Sequence, residues 1–238
     1  MNCKNCNTAV NSKFCPECGQ PTILKRIDGH YIMHEIEHVL HFERGILYTI
    51  RELVTSPGQN IRKYLSENRS RLIKPIIFII LTSLIYTLIG QFFHIEDEYV
   101  KHDGLGKSSI GTMLRWIQNN YGYASILTGI FIAVWLKVFF KKYGYNFFEL
   151  IIMLCFVQGI SMLIFTLFAL LEGVIDLKLL SVAGIFGIIY MTWAIGNFFE
   201  QKKIGNYIKS LISILLGTIT FYIIIVVVGL TIDTLTKH

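Results

Sequence analysis

Charge is scarce in this chain. Asp, Glu, Lys and Arg make up 16% of its 238 residues, against about 25% in a soluble domain. The shortage is concentrated in five long runs whose middle portions hold no ionisable side chain, only Thr82, Ser83, Gln158, Ser161, Thr192, Thr218 and Thr220. Glu149, Lys137 and Glu172 stand near run ends. Ion and proton pathways through a membrane are marked by ionisable groups at depth, so ion-coupled transport is disfavoured. Residues 1–20 have no apolar core, which excludes a cleavable secretory leader at that position and makes the whole chain the expected mature protein. Internal repeats and low-complexity tracts are also lacking.

What replaces charge is hydrocarbon. The chain is 53% hydrophobic, with a mean hydropathy of +0.53. Its apolar runs are 75–93, 121–140, 147–171, 179–199 and 208–232. A helix needs about 20 residues to cross a hydrocarbon core of about 30 Å. Backbone groups facing lipid must all be paired, and runs of this length pair theirs as helices. The expected fold is therefore an all-α integral membrane helical bundle of five transmembrane helices. A small N-terminal zinc ribbon, read from Cys3, Cys6, Cys15 and Cys18, and cytoplasmic amphipathic helices complete it. Its divisions are residues 1–20 as the head, 21–74 as the amphipathic region and 75–238 as the five-span domain.

The few charges are unevenly placed. Eleven Lys and Arg fall within residues 1–74. Segment 94–120 carries Lys101, Lys107 and Arg115 against four acids. Lys137, Lys141 and Lys142 enrich the next turn, Lys178 stands alone in 172–178, and Lys202 and Lys203 fill the last turn. Basic loops stay cytoplasmic. The alternation predicts a multi-pass membrane protein with its N-terminus in the cytoplasm and its C-terminus outside.

Cys3-Lys-Asn-Cys6 and Cys15-Pro-Glu-Cys18 form C-x2-C-x8-C-x2-C. Two such hairpins present four thiolates to one zinc ion, and a reducing cytoplasm disfavours disulfides. With all four ligands protein-derived, the zinc is expected to be structural. Gly19 supplies the freedom for φ > 0 that such a turn needs. Cys155, inside the third run, reads as a packing residue.

Between head and first run, Ile32, Ile36, Val39, Leu40, Leu47, Ile50, Leu53 and Val54 recur at helical spacing. This marks amphipathic helices lying against the bundle or in the headgroup layer. Pro57 fits the first turn of a further short helix holding Ile61, Tyr64 and Leu65. Arg62, Lys63, Arg69, Arg71 and Lys74 crowd the entry to the first run, as stop signals fixing topology or as contacts for anionic lipid.

His34-Glu35-Ile36-Glu37-His38 matches H-E-x-x-H, the pattern of zinc metalloproteases. Its place, more than thirty residues before the first run, argues against catalysis. The expected role is a polar helix face of His30, His34, His38 and His41; binding of a second metal by these histidines is the alternative. No catalytic residue is assigned.

Three elements together resemble a known family: Phe14-Cys15-Pro16-Glu17-Cys18-Gly19-Gln20; Thr49-x3-Leu53-x3-Pro57-Gly58-x5-Tyr64; and Arg69-x5-Pro75 leading into a run with Ser83. Over about residues 1–90 they resemble an uncharacterised family of bacterial zinc-ribbon membrane proteins, a domain of unknown function (DUF3667). The resemblance implies the architecture and no activity.

The expected function is non-enzymatic: a membrane protein whose zinc head recruits a partner or senses the membrane. The alternative is a transporter, channel or lipid-handling protein using the bundle, with a path lined by Gln158 and the Ser/Thr set; a metallohydrolase ranks below both. Candidate partners are the lipid bilayer, a cytoplasmic protein and a second copy of the chain. Nucleic acid is disfavoured, since the basic residues sit beside the membrane.

Overall fold

A computed structural model describes residues 2, 3, 6, 8–19, 45–67, 71–93, 95, 108–175 and 177–235. The chain divides into two units, Met1–Glu43 and Arg44–His238.

In the larger unit the described residues form eight α-helices: α1 (Ile46–Thr55), α2 (Pro57–Ser66), α3 (Pro75–Phe92), α4 (Ser109–Asn119), α5 (Tyr121–Phe139), α6 (Phe147–Ile175), α7 (Leu180–Glu200) and α8 (Ile204–Leu235). Five of them, α3 and α5 to α8, are long and apolar enough to cross a membrane, and each coincides with an expected run. Long apolar helices of this kind mark a multi-pass membrane protein.

α6 runs on past the expected run through residues 172–175, and α8 extends beyond its run at both ends, while the start of α6 is fixed by a cap. Asn146 Oδ1 accepts from the Glu149 amide at 2.8 Å while Glu149 Oε2 accepts from the Asn146 amide at 2.7 Å. This reciprocal pair satisfies amides that the first turn of α6 cannot. α6 is the central post: 67% of its apolar window is buried, against 22% for α8. Leu150, Met153, Phe156 and Val157 of α6 meet Phe78, Ala133, Ala194 and Ile195 from its neighbours in one apolar core. Ala169 and Ala183, small residues that let neighbouring helices approach closely, are both fully buried.

α1 and α2 belong to the same core. Pro57 starts α2, where its missing amide hydrogen has no partner to lose. Leu53 and Ile61 are inaccessible, and the Tyr64 ring stands edge-on to Phe156 at 5.1 Å. The expected stripe needs correction. Ile46, Thr49 and Leu53 face inward, whereas Leu47 and Val54 are 74% and 51% exposed. A 3.6-residue period cannot turn 53 and 54 to the same contact. The earlier stripe positions, Ile32, Ile36, Val39 and Leu40, lie outside the described residues.

The chain between the first two runs contains a helix that hydropathy alone does not announce. Ser108 caps α4 by accepting from the Gly111 amide at 3.1 Å, and Asp233 Oδ1 accepts from the Ser109 amide at 2.9 Å. A carboxylate at a helix N-terminus satisfies free donors and complements the dipole, so α4 is tied to the end of α8.

Candidate functional site

The head is described by itself. Cys3 and Cys15 are buried with Val10, and these three are its core among the described residues. Asn2 pairs with Ala9 in an antiparallel bridge. The Cys3 amide donates to Thr8 O at 2.8 Å, and the Gly19 amide to Cys15 O at 2.9 Å. Gly19 has φ 69°, the left-handed conformation that an L side chain resists. These turns bring the two C-x2-C hairpins face to face.

All four sulfurs lie within 4.8 Å of one another. Cys6 and Cys15 Sγ are 3.4 Å apart, and Cys3 and Cys18 Sγ 3.6 Å. A metal at about 2.3 Å from four sulfurs would hold them about 3.8 Å apart, so the spacing suits a tetrahedral ion. It is too long for a disulfide, whose sulfurs stand about 2.05 Å apart, and the cysteines are free. Hydrogen bonds from the Thr8 side chain, the Thr8 amide and the Cys15 thiol lower the Cys6 thiol to about 6. The Cys18 amide favours a Cys15 thiolate, but burial and the Cys6 and Cys18 thiols push it up to about 11. Four thiolates crowd together only around a cation.

His30, Glu35 and the other histidines of 34–41 lie outside the described residues, as does Arg69. Cys155 is buried in α6. Of the described basic residues at the entry to α3, Arg62 and Arg71 have structural work. Arg62 Nη1 donates to Asn197 O at 2.7 Å and Phe198 O at 2.6 Å, completing carbonyls that the end of α7 leaves open. Arg71 meets Glu52 Oε2 at 2.7 Å, and its Nε donates to Tyr48 OH at 3.0 Å. Tyr48, followed by Glu52, raises its pKa against the opposing effect of burial. Lys63 is half-buried and Lys74 exposed.

The polar residues of the apolar helices divide into two groups. Thr82 bonds within its own helix to Phe78 O and Ile79 O, while Ser83 donates to Gly122 O at 3.4 Å. Thr220 accepts from Trp135 Nε1 at 3.0 Å. Thr192 Oγ1 is buried with no partner among the described residues. Gln158, Ser161 and Thr218 instead converge on one cavity of about 260 Å³ between α5, α6, α7 and α8.

Two carboxylate contacts, one from buried Glu172 and one from half-buried Asp233, went unread in the sequence. Glu172 Oε2, on the last turns of α6, accepts from the amides of Leu179 and Leu180 at 2.7 and 2.9 Å. It thereby caps α7, whose own N-cap residue offers no side-chain acceptor. The Asp233 contact to α4 is the second. The N-x-x-E spacing at 146–149 was a visible signal; Glu172 and Asp233 act across chain reversals and carried none.

A family described as a protein of unknown function (DUF3667) matches residues 43–87. No curated protein and no solved structure matches. The match spans α1, α2 and most of α3, and leaves the cysteine head outside it. Within it, the described motif residues that carried the resemblance face inward. Thr49 Oγ1 accepts from the Ile73 amide at 3.1 Å, Leu53 and Tyr64 enter the core, and Pro57 and Gly58 are buried at the start of α2. The resemblance describes how two short helices lock onto a bundle.

Proposed function

We propose that this is a non-enzymatic, multi-pass protein of the bacterial inner membrane, whose cytoplasmic head holds one structural zinc ion and recruits a protein partner. One observation carries the reading: four sulfurs gathered within 4.8 Å. Four thiolates select zinc over harder cations and leave no coordination position for substrate. A head with so small a core gains its fold from metal binding. Phe14, beside ligand Cys15, is 60% exposed and offers an aromatic anchor for a partner.

The orientation follows from where the charges gather. Tyr143 OH donates to Glu200 Oε2 at 3.0 Å, and Asn206 Nδ2 to Tyr143 OH at 2.9 Å. These bonds bring the 140–146 and 201–206 turns together, and Arg62 joins them at the end of α7. Lys63, Lys74, Lys141, Lys142, Lys202 and Lys203 therefore share one end of the bundle, which the positive-inside rule assigns to the cytoplasm. Of the described residues at the entry to α3, Lys63 and Lys74 are the cations that would meet anionic lipid.

The test is a photo-crosslinking residue at Phe14 in living cells. A discrete adduct with a second protein, absent in Cys15→Ser, is expected. Labelling that is diffuse, or unchanged in Cys15→Ser, would dismiss a zinc-dependent docking head.

A further inference from the structure

The cavity between α5, α6, α7 and α8 is walled mainly by hydrocarbon, yet two polar side chains are buried in its lining. Gln158 and Ser161 are each 4% exposed and both line it. Gln158 Nε2 donates one hydrogen to Ser125 O at 2.9 Å, which leaves its second amide hydrogen and its carbonyl oxygen unused. The Ser161 hydroxyl has no hydrogen-bond partner among the described residues. Among the described residues only Thr192 Oγ1 is a fully sealed polar side-chain atom without a partner, so Gln158 and Ser161 present their spare capacity to the cavity they line, where a bilayer core supplies no bulk water to satisfy it. These two side chains mark a place for a hydrogen-bonding ligand atom.

The ligand's chemistry follows from what else is there. No charged side chain lines the cavity, so a charged group would be desolvated without compensation. Ile188 of α7 and Leu215, Ile219 and Tyr222 of α8 line the cavity and are also between 40% and 52% exposed. They form a mouth between α7 and α8, about halfway along α8, which opens sideways and not towards an aqueous end. A volume of 260 Å³ falls short of the roughly 300–1,000 Å³ that encloses a drug-sized molecule. Only one end of a longer molecule fits, with the remainder lying outside the mouth.

We propose that this cavity binds an uncharged lipid that enters from the bilayer between α7 and α8, its carbonyl or hydroxyl oxygen held by Ser161 and Gln158. The inference rests on the bilayer placement proposed above and is independent of the zinc head and its partner. A carbonyl oxygen would accept from the Ser161 hydroxyl and the second amide hydrogen of Gln158; a hydroxyl would also donate to the Gln158 carbonyl.

The test uses the full-length protein in phosphatidylcholine nanodiscs and two photoactivatable probes of equal length: a diazirine-bearing long-chain ketone and the corresponding alkane. Saturable labelling of peptides from α6, α7 and α8 is expected, with the ketone preferred about fivefold, the worth of one hydrogen bond. Ser161→Ala should largely erase that preference while leaving alkane labelling in place. Gly184→Leu is the blocking variant, because a Cβ there meets nothing nearer than Phe165 at 4.0 Å and the longer side chain grows into the cavity. It should abolish saturable labelling by both probes at an unchanged thermal midpoint. Equal labelling by ketone and alkane in the native protein would overturn the proposal, as would labels scattered over all lipid-facing surfaces or full labelling of a folded Gly184→Leu. If Gly184→Leu does not fold, the probe preference of Ser161→Ala decides. Failure of the native protein to enter nanodiscs at all would overturn the bilayer placement itself.

Discussion

Arg62 reaches 135 positions along the chain to the carbonyl of Asn197, and the same Nη1 donates to Phe198 O. A cation at the end of α7 both fills open carbonyls and complements the negative end of the helix dipole. Arg62→Ala is expected to cost about 1.5–3 kcal/mol, the range for hydrogen bonds involving a charged group. The neighbouring Lys63→Ala should fall within about 0.5 kcal/mol of the native protein. Thermal unfolding of both variants in detergent checks the contrast, and equal effects would refute the capping role.

Gly58 allows that contact. A Cβ built on it would sit 2.3 Å from the carbonyl carbon of Asn197, a clash with backbone that no rotamer relieves. Gly58→Ala should destabilise the protein by about 1–3 kcal/mol and push α2 away from α7. A cross-link between α2 and α7 that forms in the native protein should then form poorly.

Glu172 gives a third prediction. Its carboxylate accepts two amides at the head of α7, so Glu172→Ala should cost about 1–3 kcal/mol. Glu172→Gln retains an acceptor oxygen and should cost less. Hydrogen exchange at Leu179 and Leu180 is the direct readout, faster in the alanine variant than in the glutamine one.

The head should respond to metal separately from the bundle. One zinc per chain is expected by elemental analysis, with loss of binding in Cys3→Ser and Cys15→Ser. A chelator should expose residues 1–20 to protease while the helical signal of α3 and α5 to α8 persists. Retention of the head's protease resistance without metal would count against zinc as its organising force.

Some of this was plain from the residue string and some was not. The long apolar helices were legible because a run of about 20 apolar residues has few alternatives. The cysteine cluster was legible because C-x2-C pairs bring sulfurs together through local turns. α4 was not, since Leu114 and Ile117 are thinly spread in a polar loop and gain partners only through packing against α5 and α8. The lining of the cavity was also hidden. Gln158 and Ser161 stand three apart on α6, but Thr218 and Gly184 reach them only through tertiary packing. Arg62 showed its charge in the sequence and concealed its use, because Asn197 comes so much later in the chain.

Five membrane crossings with the basic end in the cytoplasm would put the C-terminus outside. A reporter that fluoresces only in the cytoplasm and an enzyme active only outside it, each fused after Leu235, measure this directly. Enzyme activity with a dark reporter is the predicted result; a fluorescent reporter with inactive enzyme would contradict it.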